Sequence, residues 1–451
     1  VGGELRRCVQ ATQVPILRPA FETGTLAIVR TSVPGKQTHQ RLPLIETVTP
    51  ADEAELAQKV AEAAHRTVPV YPIGGATMLG FGAAADRPGI GLSLARLNRV
   101  VDYPADDLTI TVQAGLTVAE LARRLARRGQ RLPVDVPMAD RATVGGTVAV
   151  NLAGPRRLRW GTLRDHVIGL RAVDGRGQVF SAGGRVVKNA AGYNLCRLLT
   201  GSLGTLAVIT ELTFTVRPMA EATAWVACSV GEFDDADRLL ERLVRTHTLP
   251  VAVELVAGPA WSGMGDASGP SVAELVVGFE GTAAEVAWMV EQLHEEWSGV
   301  AERSLRVIRD RHARRLWDAL IEFPWTASGH PRGGRVLIEV RVRPSQVLET
   351  VETLLQLDPG ASIQAHAGDG VLRAELALGP EEARAMVTER LRPRVAAGGG
   401  SVVVLDHPGQ AWDRSAVWGP PPEGFRAMEA IKRQLDPQGI FNPDRFVFSG
   451  P

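Results

Sequence analysis

Only three cysteines, Cys8, Cys196 and Cys228, occur in 451 residues. Their number is odd, their spacing is wide and no Cys-x-x-Cys run exists. That excludes a disulfide framework or an iron–sulfur ligand set within this chain, and fits a reducing compartment. Net charge is lacking too, because fifty basic residues balance fifty acidic ones. Nothing global points to nucleic acid or to an anionic membrane surface. Long apolar runs are also missing. The longest, Leu198 to Val216, carries Glu211, two glycines and several hydroxyl residues, and reads as a turn plus a buried strand rather than a membrane span. Arg6 and Arg7 are followed by no apolar core, so a secretory signal is not expected and the default is a cytoplasmic protein. With 45% hydrophobic and 22% charged residues the composition is that of a globular protein, long enough for two or more domains.

What the chain does have is glycine in two telling places. The first is Tyr71-Pro-Ile-Gly-Gly-Ala-Thr-Met-Leu-Gly-Phe-Gly82; the second is Ala142-Thr-Val-Gly-Gly-Thr-Val-Ala-Val-Asn-Leu-Ala-Gly-Pro155. Small residues let backbone N–H groups turn toward an anion such as a diphosphate with no side chain between. Either loop alone is as well explained by a tight turn between strands. The two in order, with the sequence around them, make a flavin dinucleotide the leading ligand. The first loop opens no helix of the Rossmann kind, so that fold is not expected.

Residues 1–42 lack periodicity and read as an N-terminal extension. Residues 43–218 read as one α+β domain. It starts with a helix to about His65, for which Thr49 is the expected cap and Pro50 the first residue. Strands are expected at Val68–Tyr71, Ile90–Leu94, Leu108–Gln113, Val167–Val173, Gln178–Ser181 and Leu206–Val216, with helices over Val118–Arg128 and Ala191–Leu199. Residues 219–405 give two successive series in the order strand, helix, strand, strand, helix, strand. They predict a cap domain of two ferredoxin-like halves around one antiparallel sheet. Residues 406–451, with a helix at Phe425–Leu435, return to the first domain.

Several motifs resemble the FAD-linked oxidases of the vanillyl-alcohol-oxidase or PCMH type, and among them the FAD-binding (E) subunits of bacterial glycolate oxidases. They are Pro72-Ile-Gly-Gly-Ala-Thr77, Ala142-Thr-Val-Gly-Gly146 and Leu152-Ala-Gly-Pro-Arg-Arg157, with Trp160-Gly161 and Arg164-Asp165. Further along come Gly184-Arg-Val-Val-Lys-Asn-Ala-Ala-Gly-Tyr-Asn-Leu195, Leu198-Leu-Thr-Gly-Ser-Leu-Gly-Thr-Leu206 and Phe441-Asn-Pro443. The resemblance implies non-covalent FAD, since the first loop holds neither His nor Cys. It assigns the diphosphate to Ile73, Gly74, Gly75, Ala76 and Thr77, with Ala76 tolerated where the family has glycine only if its φ stays negative. Pro137, Thr143, Gly145, Gly146 and Asn151 fall beside the ribose and isoalloxazine, Val208 and Ile209 at a ring edge, and Asn442 in the C-terminal motif. Lys188 is either an anion contact or a surface lysine, and Tyr193 either closes over the flavin or packs. Residues 314–325, an amphipathic helix running into an aromatic loop, either line the substrate mouth or dock a partner, or pack on the cap sheet.

Relatives in the family carry His-Ala-Gly-Asp-Gly-Asn-x-His and Glu-His-Gly motifs, which hold a divalent metal and supply a base. This chain has His366-Ala-Gly-Asp-Gly-Val-Leu-Arg373 and Asp406-His407-Pro408-Gly409. Arginine stays protonated and offers no lone pair, so no metal is expected. Three readings stay open. Arg373 clamps a substrate carboxylate with His407 as base; or the site has decayed and the chain holds FAD for assembly or electron relay; or His366 and Arg373 are ordinary strand residues, the latter solvated. By resemblance the chain is a subunit of a complex with a catalytic flavoprotein subunit and an iron–sulfur subunit. The complex oxidises a small 2-hydroxy acid such as glycolate, with electrons leaving toward a quinone or another carrier. The rivals are a self-sufficient D-2-hydroxy-acid dehydrogenase and a non-catalytic FAD-binding assembly subunit.

Overall fold

The computed structural model describes residues 42–185, 193–264, 271–300, 305–325, 335–408 and 412–446. The expected N-terminal extension up to residue 41, and Lys188, lie outside them. Three strands, β1 (Leu44–Val48), β2 (Val70–Ile73) and β3 (Gly89–Ser93), run parallel in the order β1-β3-β2. The helix between β1 and β2 is Glu53–His65, which buries Leu56, Val60 and Ala63. Its cap is Asp52 rather than Thr49. The Asp52 carboxylate accepts the Glu55 N–H at 2.9 Å, and a full negative charge at a helix N-terminus outcompetes a hydroxyl three residues earlier. Pro50 therefore precedes the helix.

Strands β4 (Val100–Asp102), β5 (Thr109–Gln113), β7 (Val167–Val173), β8 (Val179–Gly183) and β9 (Val208–Thr215) form an antiparallel sheet in the order β4-β5-β9-β7-β8. A separate ribbon pairs β6 (Gln130–Arg131) with β10 (Arg217–Pro218). Alternating Thr with Val, Ile or Leu along β5 and β9 suits a sheet with one buried face. The second glycine stretch is not a plain loop: Val144–Val150 is helical, with Thr143 as its cap. Two glycines disfavour a helix by about 1 kcal/mol each, but here packing overrides propensity. A Cβ on Gly145 would lie 2.6 Å from the Ala114 Cβ, so glycine is what lets this helix reach the end of β5.

The cap is one antiparallel sheet of eight strands. They are β11 (Ala222–Val230), β12 (Ala252–Ala257), β13 (Ala273–Gly281), β14 (Leu305–Arg309), β15 (Val336–Arg341), β16 (Ser362–His366), β17 (Val371–Leu376) and β18 (Ser401–Asp406), in the order β14-β11-β13-β12-β16-β17-β15-β18. Each half has its fourth strand at the rim and its second at the centre, and β12 pairs with β16 across a pseudo-twofold. Strand β14 completes the first half. Its alternating Leu305-Arg-Val-Ile-Arg309 is short and charged, as an edge strand should be. One face of the sheet is covered by helices, including Phe233–Val244, Ala283–Trp297 and Val347–Leu357. On the other face the first half is covered by the helix Asp310–Glu322, with the Trp317 and Trp225 rings 4.4 Å apart. The amphipathic helix thus packs on the cap sheet. The second half turns this face to the glycine-rich domain.

The C-terminal helix Phe425–Leu435 is pinned to that domain by Lys432. Its buried ammonium donates to Asp436 at 2.5 Å and to the carbonyl oxygens of Thr205 at 2.7 Å and Phe441 at 3.2 Å. Phe441 then bridges to Val70, extending the β2 edge. Among the described residues no helix is long and apolar enough to cross a membrane.

Candidate functional site

The two glycine stretches meet. A Cβ on Gly74 would lie 2.1 Å from Thr143 Oγ1, and one on Gly75 would lie 1.7 Å from the Arg141 carbonyl oxygen. No side chain fits at either position. The loops therefore close one wall of a cleft that both stretches line. Gly74, Gly75, Ala76, Thr77, Pro137, Thr143, Gly145, Gly146, Val208, Ile209 and Asn442 all line it. Two expected members do not. Ile73 is buried behind the loop with Leu42 and Tyr71, and Asn151 ends the Val144–Val150 helix at φ 54°.

Ala76 adopts φ 56°, against the expectation of a negative value. The turn needs a left-handed residue there, and the meeting of the two loops holds alanine in it at a cost of about 1–2 kcal/mol. Tyr193 neither packs nor covers the cleft, being 95% exposed.

Sequence reasoning missed Arg445. It is the charged residue among those lining the cleft, and it is 7% exposed. Its Nη2 donates to the Leu79 and Phe81 carbonyl oxygens at 2.6 and 2.7 Å. Asn442 Nδ2 donates to the Leu203 carbonyl oxygen at 2.8 Å. The C-terminal segment thus ties the far ends of two cleft-lining loops together. A basic residue two positions beyond the Phe441-Asn-Pro443 motif was the available signal.

Arg373, His366 and His407 lie in the cap and none lines the cleft, although all three are buried. Arg373 is 2% exposed, which rules out a solvated strand residue. Alternation puts Glu254 of β12, Gln364 and His366 of β16, Arg373 of β17 and Glu339 of β15 on the face toward the glycine-rich domain. Arg373 donates through Nε to Glu339 at 3.4 Å and through Nη2 to the Ala153 carbonyl oxygen at 2.5 Å. Leu152, next to Ala153, lines the cleft and packs with Trp325, Leu337 and Leu405 of the cap. Arg373 thus sits one residue behind the cleft wall, with its guanidinium 5.7 Å from the Trp325 ring.

Burial alone would raise the Glu339 pKa, but the guanidiniums of Arg341 and Arg373 hold it at about 2. His366 Nδ1 lies 2.7 Å from Glu254 Oε1, and Gln364 donates to the other Glu254 oxygen at 2.8 Å. Burial, reinforced by the Arg373 charge, depresses His366 to about 3. Burial likewise pushes Glu254 well above the carboxylate range. The pair therefore shares one proton and carries no net charge near neutrality. His407, at the end of β18, stacks on Trp412 with ring centres 5.6 Å apart. Among the described residues no group of three or more His, Cys, Asp or Glu is placed to hold a metal ion.

A second seam contact joins the domains. Arg156 pairs with Asp135 on one side and Glu280 of β13 on the other, its guanidinium 3.8 Å from the Trp317 ring. Glu322 accepts the Met138 N–H at 3.0 Å, beside cleft-lining Pro137.

Comparison with known proteins fits this arrangement. Residues 46–183 match the FAD binding domain family, and residues 219–446 match the family described as FAD linked oxidases, C-terminal domain. The chain belongs to the FAD-linked oxidases. It is 29% identical over 418 residues to a D-lactate dehydrogenase of Archaeoglobus fulgidus, covering 89% of this chain and 90% of the relative. It is 24% identical over 424 residues to the glycolate oxidase subunit GlcD of Bacillus subtilis, covering 88% of each. The fold is shared with p-cresol methylhydroxylase in a substrate-bound crystal structure, at a TM-score of 0.69 and 16% identity, over 89% of this chain and 88% of that one. This FAD-linked oxidase is an FAD-dependent oxidoreductase acting on CH–OH groups, of the 2-hydroxy acid dehydrogenase kind. The cleft fits that cofactor: its wall is built from two glycine stretches whose close contact leaves no room for a Cβ at Gly74 or Gly75, so backbone N–H groups face it without side chains between.

Proposed function

We propose that this FAD-linked oxidase is the FAD-binding subunit of a cytoplasmic glycolate-oxidase-type complex. The complex converts a small 2-hydroxy acid to the 2-oxo acid and passes the electrons to an acceptor other than oxygen. FAD is held without a covalent bond, since among the described residues neither His nor Cys lines the cleft. Gly74, Gly75, Ala76 and Thr77 offer backbone and hydroxyl donors to the diphosphate, and Thr143, Gly145 and Gly146 flank the ring system. Arg445 supplies the opposing charge. The bound flavin supplies a hydride acceptor; the hydroxyl proton must leave to a base.

The observation that carries the subunit reading is the state of the cap face. Arg373 is already held by Glu339 and the Ala153 carbonyl, and His366 is held neutral against Glu254. Among the described residues of the cap face no free carboxylate clamp remains unless Arg373 changes partners. This favours a chain that relies on a catalytic flavoprotein partner and an iron–sulfur partner. The second reading, a self-sufficient D-2-hydroxy-acid dehydrogenase with Arg373 as clamp and His407 as base, is favoured by the near full-length likeness to a D-lactate dehydrogenase.

Anaerobic visible spectra of the purified chain, before and after excess glycolate or D-lactate, separate the two. A flavin band that persists until partners are added supports the subunit reading. A band that bleaches with the chain alone replaces it by the second reading. Absence of any flavin band, even after adding FAD, would overturn both.

A further inference from the structure

The motif residue Trp160 has no part in the flavin cleft, yet three guanidiniums gather on its ring. Arg131, Arg159 and Arg217 lie 6.0, 5.7 and 5.7 Å from its centroid. Arg131 and Arg217 are direct cross-strand partners in the β6–β10 ribbon, where like charges repel. The carboxylates nearby do not balance them. Glu280 is shared between Arg131, at 2.8 Å, and Arg156, and Asp135 is committed to Arg156. Asp165 caps the following turn, accepting the Thr162 N–H at 2.8 Å. Among the described residues no carboxylate pairs with Arg159 or Arg217, and both are exposed. Trp160 Nε1 is buried without a hydrogen-bond partner.

Cation–π attraction to one indole contributes about 0.5–1 kcal/mol per exposed cation, which does not offset three converging charges in a chain that is neutral overall. We infer that Trp160, Arg131, Arg159 and Arg217 form a binding site for an anionic group, a carboxylate or phosphate. The indole forms its floor, and Arg159 and Arg217 make the direct contacts. The anion is carried either by a small molecule or by an acidic stretch of polypeptide. Arg131 is a positioning residue, held from the cap side by Glu280. The inference is independent of the proposed function, because none of Trp160, Arg131, Arg159 and Arg217 lines the flavin cleft or belongs to the Arg373–His366 face of the cap.

The test uses the full-length protein loaded with FAD, so that the diphosphate cleft is occupied. Tm is followed while inorganic phosphate, or a penta-glutamate peptide, is titrated at constant ionic strength balanced with KCl. The wild type and Arg238→Ala, an exposed arginine on a cap helix, should show a saturable rise in Tm with at least one probe. Arg159→Ala and Arg217→Ala should each weaken the apparent affinity about tenfold, as for one charge-assisted bond at an exposed site. A stronger response to phosphate assigns a free anion, and a stronger one to the peptide assigns an acidic polypeptide. Equal Tm shifts in wild type and both cluster variants, or no shift with either probe, would overturn the inference.

Discussion

Adding one methyl group at Gly75 tests whether the contact between the two glycine stretches holds the flavin. In Gly75→Ala the new Cβ would start 1.7 Å from the Arg141 carbonyl oxygen, a backbone atom that no rotamer change can move. The loops must part by more than an ångström before the contact becomes tolerable. Such a shift stretches a hydrogen bond of about 2.9 Å past the distance at which it counts as one. Losing two backbone bonds to a charged diphosphate costs about 3–6 kcal/mol, a factor of about 10²–10⁴ in Kd. Gly146→Ala is the matched control. Its Cβ would meet Thr143 Oγ1 at 3.1 Å, a contact relieved by a side-chain shift of a few tenths of an ångström, so Kd should stay within about tenfold. FAD is titrated into apoprotein by absorbance, and Tm is recorded with and without saturating FAD. The FAD-dependent part of the Tm separates lost binding from general destabilisation. If Gly75→Ala binds FAD as Gly146→Ala does, the first loop is not where the diphosphate sits.

Ala76→Gly should stabilise the protein. It relieves about 1–2 kcal/mol of left-handed strain against about 0.4–1 kcal/mol of added unfolded-state entropy, a net gain of about 0.5–1 kcal/mol in urea melts. Arg445→Leu removes the charge lining the cleft, and FAD titrations should show a loss of about ten- to a hundredfold with a weaker salt dependence. Lys432→Met leaves Asp436 buried without its cation; the expected cost is about 3–5 kcal/mol, read as a lower Tm and early proteolysis of the C-terminal segment. The Glu254–His366 pair holds one proton when folded. In the unfolded chain it holds two below 4.5, one between 4.5 and 6.5, and none above. Its contribution is therefore flat from 4.5 to 6.5 and is lost as pH rises above 6.5, by up to about 1.4 kcal/mol per unit. It is lost again as pH falls from 4.5 toward 3. The stability of wild type relative to Glu254→Gln should fall between pH 6.5 and 8, and a constant difference there would refute the shared proton.

The periodic parts of this fold were legible because pattern and packing agree in them. The β-branched alternation of β5, β7 and β9 and the two repeated series of the cap could be read directly. Legibility failed where a tertiary contact overrode a local preference. Gly145 and Gly146 argue against a helix until Ala114 is seen pressing on the first. Ala76 argues against a left-handed turn until Thr143 and Arg141 are seen fixing the loop on either side. The cleft wall was readable because glycine there serves one purpose. Arg445 was not, because a lone arginine near a chain end looks the same whether it faces solvent or a ligand. Glu254 and Glu339 were invisible for a different reason. Glu254's partners Gln364 and His366, and Glu339's partner Arg373, lie on strands more than thirty residues away, and only the sheet order joins them.

The two halves of the cap share one topology, so topology cannot decide which half meets the glycine-rich domain; the residues on the uncovered face do. In the first half that face presents Trp225, Ala227, Val256 and Val276, an apolar surface sealed by the helix carrying Trp317. In the second half it presents Gln364, His366, Arg373 and Glu339, and among the described residues no helix of the cap seals it. The glycine-rich domain covers it, through the Ala153 carbonyl on Arg373 and the Arg157–Asp369 pair at 2.7 Å. Burying so many polar groups costs several kcal/mol unless each finds a partner. The domains are therefore held in one relative position by polar contacts that must all be met together. A substrate carboxylate reaching Arg373 would have to replace Glu339 or the Ala153 carbonyl. Arg373→Met should then separate the readings. If Arg373 only joins the domains, the variant leaves Glu339 to Arg341, lowers Tm and spares turnover by the assembled complex. If Arg373 binds substrate, KM for the hydroxy acid rises steeply while FAD stays bound.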